Sequence, residues 1–214
     1  MNRTRSVQLL GALALLVLYA VAAHYSNSHR NAGLLGASLA LAPLAAAALA
    51  LVRRSSHPLR WLAPLAVGLV AVFGWAFLQQ HYPLVYLAQQ CIAYGVVAMA
   101  FAVTLLPGRV PLCTRIAGVV QDPLPPAVVR YTRQVTLAWA AFLFVMTAAL
   151  FIAYWVAPLP VWSMFSNMVA PALVLLMFAV EALVRRLVLE PQQRAGMVAT
   201  VRAYLNERRD IRSL

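Results

Sequence analysis

PGRVPLCTRIAGVVQDPLPPAVVRYTRQV, residues 107–135, is the only long polar interruption between apolar runs in this chain. It separates four apolar runs from two, and it carries Arg109, Arg115, Arg130 and Arg133. The flanking runs are long enough to cross a bilayer, whose hydrocarbon core of about 30 Å takes roughly 20 helical residues. The stretch therefore reads as a loop of an all-α polytopic membrane protein, and its charge gives the side that it faces.

Composition supports this reading. The 214 residues are 64% hydrophobic and 10% charged, with a mean hydropathy of +0.80. A soluble domain covers itself with roughly 25% charged residues; here lipid must cover the outside. The net charge is +12, and every basic residue is Arg. Nucleic acid is excluded as a partner, because that reading needs a basic face on a soluble fold. These Arg residues sit in short segments between apolar runs instead. Cys91 and Cys113 have no CxxC spacing and read as inert thiols. His24, His29, His57 and His81 form no metal-ligand or acid–base pair, and no Walker loop, GxGxxG or GxSxG is present. No metal, no cofactor and no catalytic residue is expected.

Six spans follow from the hydropathy, at about 7–23, 32–52, 61–78, 84–106, 136–157 and 161–184. They make residues 1–184 a six-helix transmembrane domain. The first resembles a signal peptide but is longer than an h-region of about 7–15 residues, so it is expected to be retained. The second is rich in Ala and holds Gly33 and Gly36, small residues that let helices approach closely in lipid. The short link Gln79–Pro83 predicts a helical hairpin between the third and fourth runs. Pro158-Leu159-Pro160 predicts another between the fifth and sixth. Residues 185–214 read as a basic tail, with Met197, Val198, Val201, Tyr204 and Leu205 at the spacing of an amphipathic surface helix.

Placing Met1 in the cytoplasm puts every Arg except Arg30 on the cytoplasmic side. The positive-inside rule thus predicts both termini inside and a long cytoplasmic loop, 107–135, between the fourth and fifth helices. Tyr25, Trp75, Tyr82, Tyr86, Tyr154, Trp155 and Trp162 fall near the opposite face, as an interfacial belt does.

Two groups of residues are candidates for function. The first is a basic cytoplasmic patch of Arg109, Arg115, Arg130, Tyr131 and Arg133, joined by Arg185 and Arg186. Guanidinium forks bind phosphate and carboxylate in pairs of hydrogen bonds, so this patch suits an anionic lipid or an acidic protein. The second is a set of polar groups inside spans: Gln89, Gln90, Ser163, Asn167 and Glu181. Amides in lipid seek partners on neighbouring helices. Glu181 stands four residues before Arg185, at ion-pair spacing. Pro171 frees a backbone carbonyl, which with Ser163 and Asn167 can line a small polar pocket.

PGRVPLCTRIA (107–117), RYTRQVTLAWAAF (130–142), WSMFSN (162–167) and FAVEALVRR (178–186) resemble a family of small bacterial inner-membrane proteins. That family accompanies aryl-polyene and fatty-acid-like biosynthesis enzymes, acyl carrier proteins and a lipid exporter, and is often labelled "ketosynthase". The resemblance places Arg109, Arg115, Tyr131, Arg133, Trp162, Asn167, Glu181 and Arg185 in the family pattern. It implies an inner-membrane location and a role beside an acidic acyl carrier protein. The ketosynthase label does not fit the residues. Condensation needs an activated Cys beside His groups, whereas Cys91 is expected in lipid and Cys113 in a loop with no His near it in sequence. The expectation is a non-enzymatic accessory of envelope lipid or polyene biosynthesis that engages a carrier or an anionic lipid intermediate through its Arg face. A small transporter or flippase and a membrane-embedded transferase are the alternatives.

Overall fold

In a computed structural model, residues 3–28, 33–54, 57–119 and 123–189 are described. Among them the ordered elements are all helical. The helices are α1 (Arg3–Ser28), α2 (Gly33–Arg54), α3 (Leu62–Phe73), α4 (Trp75–Val103), α5 (Leu112–Gly118), α6 (Pro126–Val156), α7 (Leu159–Met164) and α8 (Ala170–Val188). A short 3-10 turn, Pro58–Trp61, precedes α3, and a π-helical segment, Phe165–Val169, joins α7 to α8.

Among the described residues, four stretches are long and apolar enough to cross a membrane: Gly33–Arg54, Trp75–Val103, Pro126–Val156 and Leu159–Val188. The third run behaves differently from the sequence expectation. Its helix, α3, has 12 residues, about 18 Å at the usual rise, well short of the hydrocarbon core. Gly74 ends α3, and α4 starts at the next residue.

The link Gln79–Pro83 is not a loop. It lies inside α4, where only His81 departs from helical geometry (φ −122°, ψ 18°). Pro83 is the cause, since it has no N–H to give to the Gln79 carbonyl. Gly33 of α2 stands against that carbonyl; a Cβ there would lie 3.0 Å from the Gln79 oxygen. Pro43 creates the same deficit in α2 by leaving the Leu39 carbonyl without its helical donor. The Tyr19 hydroxyl of α1 supplies one at 3.3 Å. In both cases a proline opens the backbone ladder and a neighbouring helix covers the gap, as lipid requires.

The central interruption is also shorter than expected. Leu106-Pro107-Gly108-Arg109 is a tight turn, with Gly108 at φ +78° and the Arg109 N–H donating to the Leu106 carbonyl at 3.1 Å. Residues 112–118 form α5, and α6 begins at Pro126. Arg130 and Arg133 are therefore helical, not loop residues. Pro126 suits a first helical position, where no N–H is needed, and α6 starts there. The surface helix read from Met197–Leu205 lies outside the described residues.

The chain divides into two compact units: residues 1–91 with 150–171, and residues 92–149 with 172–214. In the first unit α1 packs on α2 and α7, and α2 packs on α3. Its core holds Ala23, Ala40, Tyr82, Tyr86, Leu87 and Trp162. Trp162 is fully buried, and its indole N–H donates to the Leu150 carbonyl at 3.2 Å. Gly36 faces Tyr82 so closely that a Cβ would sit 2.5 Å from the ring. Gly36→Ala is therefore expected to cost about 1–3 kcal/mol by overpacking, read as an earlier thermal unfolding in detergent. Gly68→Ala is the control, because a Cβ there meets nothing within 4 Å.

Candidate functional site

The second unit contains a cavity of about 500 Å³ built from α4, α5, α6 and α8. The α6 wall is Val128, Tyr131, Thr132, Val135, Trp139 and Leu143. Steps of three and four residues keep these on one helical face. The same spacing on α8 presents Val174, Phe178, Glu181 and Arg185. Tyr94, Val97 and Phe101 come from α4, and Cys113, Ile116 and Ala117 from α5. Trp139 fixes the aromatic end: its ring lies 4.5 Å from Phe178 and 6.1 Å from Phe101, centre to centre.

Polar groups gather at the other end. Arg185 and Glu181 form an ion pair in which Arg185 Nε donates to Glu181 Oε1 at 3.0 Å. The Tyr131 hydroxyl lies 3.2 Å from both the Glu181 carbonyl oxygen and Glu181 Oε1, and its one proton is shared between them. The two charged side chains are only 18% and 9% exposed, so water screens them weakly. From Tyr131 to Leu143 the α6 wall runs twelve residues, about 18 Å.

A threonine ladder holds α5 in place as one wall. The first amides of a helix lack internal acceptors. Here Leu112 N donates to Thr104 Oγ1 at 2.9 Å and Cys113 N to Thr136 Oγ1 at 3.2 Å. Thr132 Oγ1 donates to the Val128 carbonyl at 2.8 Å. A hydroxyl has one proton, so Thr114 is the donor in its 2.7 Å contact with Thr132. Burial pushes the Cys113 thiol above its ordinary range, with Glu181 adding to the effect against Thr136 and Arg185. Cys113 stays a neutral thiol at pH 7 and is no activated nucleophile.

The residues singled out in the sequence separate into three groups. Tyr131, Glu181 and Arg185 come together in the cavity. Arg109, Arg115, Arg130, Arg133 and Arg186 are exposed and do not line it. The intramembrane amides belong to the first unit. Gln89 donates to the Ala40 carbonyl at 2.6 Å. Asn167 donates to the Ser163 carbonyl at 2.9 Å, and Ser163 Oγ also meets Asn27 and His24 at 3.3 and 3.2 Å. These contacts tie α1 to α7, and Ser163, Asn167, Gln89 and Gln90 do not line the cavity. The backbone around Asn167 is π-helical, one way to accommodate Pro171, which offers no N–H to the Asn167 carbonyl.

Trp139, Phe178, Tyr94 and Phe101 also line the cavity; none of the four was among the candidate site residues, and Phe101 carries no mark in the sequence at all. No group of three or more His, Cys, Asp or Glu able to hold a metal occurs among the described residues. Compared with known proteins, the chain matches no family model, no curated protein and no solved structure.

Proposed function

We propose that this chain is a non-enzymatic membrane accessory that holds the chain of a lipid or lipid-like intermediate in the cavity of its second unit. The observation that carries the reading is the cavity itself: apolar and aromatic along its length, polar at one end. Its size falls in the roughly 300–1,000 Å³ range of ligand pockets. Its run of about 18 Å beside α6 is close to the depth of one leaflet, about half of a 30 Å hydrocarbon core. That shape suits an extended hydrocarbon chain better than a compact solute.

The wider setting belongs to the same proposal. With the Arg-rich segments on the cytoplasmic side, as the positive-inside rule predicts, the polar end of the cavity lies at the inner face of a bacterial inner membrane. The exposed Arg109, Arg115, Arg130 and Arg133 then face the cytoplasm, where an acidic carrier protein or anionic headgroups meet them. An accessory of envelope lipid or polyene assembly fits both features. Transport is favoured less, because Gln89 and Asn167 are engaged in helix packing rather than lining a path.

Val135→Trp tests the reading by filling the cavity from its α6 wall. Native mass spectrometry of protein released from gentle detergent is expected to show a bound single-chain lipid on the natural protein. Occupancy should fall about tenfold or more in the variant, a loss of roughly 1.4 kcal/mol. Equal occupancy in both proteins rules the cavity out as the binding site.

A further inference from the structure

We infer that the cavity takes a chain that carries an oxygen, as a hydroxyl or a carbonyl, in the half remote from its head, and that Tyr94 recognises this oxygen. This rests on the lipid-holding reading above and names the ligand class for that site.

Two donors without acceptors carry the inference. Buried Tyr and Trp side chains usually find a partner for the O–H or N–H, because an unmet donor in an apolar setting is costly. Trp162 follows the rule by donating to the Leu150 carbonyl, and Tyr82 by donating to the Ser26 carbonyl. Tyr94 and Trp139 depart from it. Neither the Tyr94 hydroxyl nor the Trp139 N–H has a hydrogen-bond partner among the described residues. Both side chains line the cavity. Trp139, only 7% exposed, clusters with Ala98 and Leu143, and Tyr94 packs against that cluster.

The donors lie away from the Tyr131 end. Thr104 and Thr136 hold consecutive amides of α5, and Phe101 faces Trp139. The helices α4 and α6 therefore run antiparallel along the cavity. Trp139 stands eight residues beyond Tyr131 on α6, about 12 Å. Tyr94 stands seven residues before Phe101 on α4, about 10 Å farther in the same direction. Ala93, Val97, Leu143 and Val174 give the wall there an apolar surface. An oxygen on the bound chain supplies the missing acceptor without bringing a charge into hydrocarbon. A plain saturated chain leaves the donors unmet. A site with a hydrogen-bonding group discriminates most strongly against the analogue that leaves this group unpaired.

Competition read by native mass spectrometry tests this on the whole protein in gentle detergent. The probes are stearic acid and two hydroxystearic acids, with the hydroxyl at mid-chain or on the last carbon. Each is also offered as its glycerol monoester, so that the head cancels in the comparison. Plain and hydroxylated chains differ in mass by one oxygen and are supplied in equal amounts. The natural protein is expected to retain the better of the two hydroxylated chains about tenfold over the plain one, the effect of one hydrogen bond. Tyr94→Phe keeps the ring and breaks no hydrogen bond among the described residues, so its thermal unfolding should match that of the natural protein. It is expected to lose the preference. Equal or better retention of the plain chain by the natural protein overturns the proposal and leaves the lipid-holding reading intact. A preference for the hydroxylated chain that persists in Tyr94→Phe overturns the assignment to Tyr94. Retention of no chain with either head overturns both readings. The ratio on the natural protein needs no variant, so a Tyr94→Phe protein that fails to fold does not shelter the proposal.

Discussion

Trp162→Ala should lower the free energy of unfolding by about 3–5 kcal/mol, the usual cost of removing a buried aromatic side chain. Three losses add up at this position. The indole is fully buried, so its removal opens a void among Ala23, Tyr82 and Tyr86. Its N–H no longer reaches the Leu150 carbonyl, which loses a 3.2 Å bond in a buried setting. The edge-on contact with Tyr154, 5.1 Å between ring centres, goes as well. Trp155 is the internal comparison: it is 66% exposed, and Trp155→Ala should stay within about 0.5 kcal/mol of the natural protein. Trp162→Phe should fall between the two, since it keeps most of the volume and loses the N–H. Denaturant-driven unfolding in mixed micelles measures all three. Equal losses for Trp162→Ala and Trp155→Ala would show that the first unit is not organised around Trp162.

The all-helical class was legible in the sequence because long apolar runs and sparse charge leave few alternatives. The cavity was not, and the reason is physical. In a soluble helix the apolar face stands out against a polar one. Here the faces of α6 and α8 directed at lipid are as apolar as those directed at protein. Leu137 and Val145, both exposed, are chemically no different from the buried Leu143. Hydropathy therefore carries no period, and only polar punctuation marks a face. Tyr131, Glu181 and Arg185 were visible for that reason, whereas Trp139 and Phe178 were not. Polarity also misled at the start of α6. Arg130 and Arg133 give the stretch the composition of a loop, yet Pro126 provides a helix start and Val128, Tyr131 and Val135 already lie on one face. The third and fourth runs were misjoined because Pro83 reads as a breaker. In α4 it distorts one residue, His81, and the helix continues.

Arg185→Ala should destabilise the second unit by about 3 kcal/mol, the low end of the cost of stripping one partner from a buried ion pair. The low end applies because Arg185 keeps 18% of its side chain exposed and water can partly replace it. What remains is Glu181, 9% exposed, with its carboxylate facing Tyr131 and a largely apolar cavity. The cost lies in that orphaned charge more than in the lost contact, and this distinction can be tested. Replacing both partners, Glu181→Gln with Arg185→Met, removes the charge as well as the pair. Exchanging a buried ion pair for uncharged residues of similar size is often close to neutral. The double variant should therefore be more stable than Arg185→Ala alone by about 2 kcal/mol, a non-additivity that neighbouring residues commonly show. The same micelle-based unfolding measurement gives both values. A double variant as unstable as the single one would mean that the guanidinium holds α8 by packing its stem rather than by charge pairing.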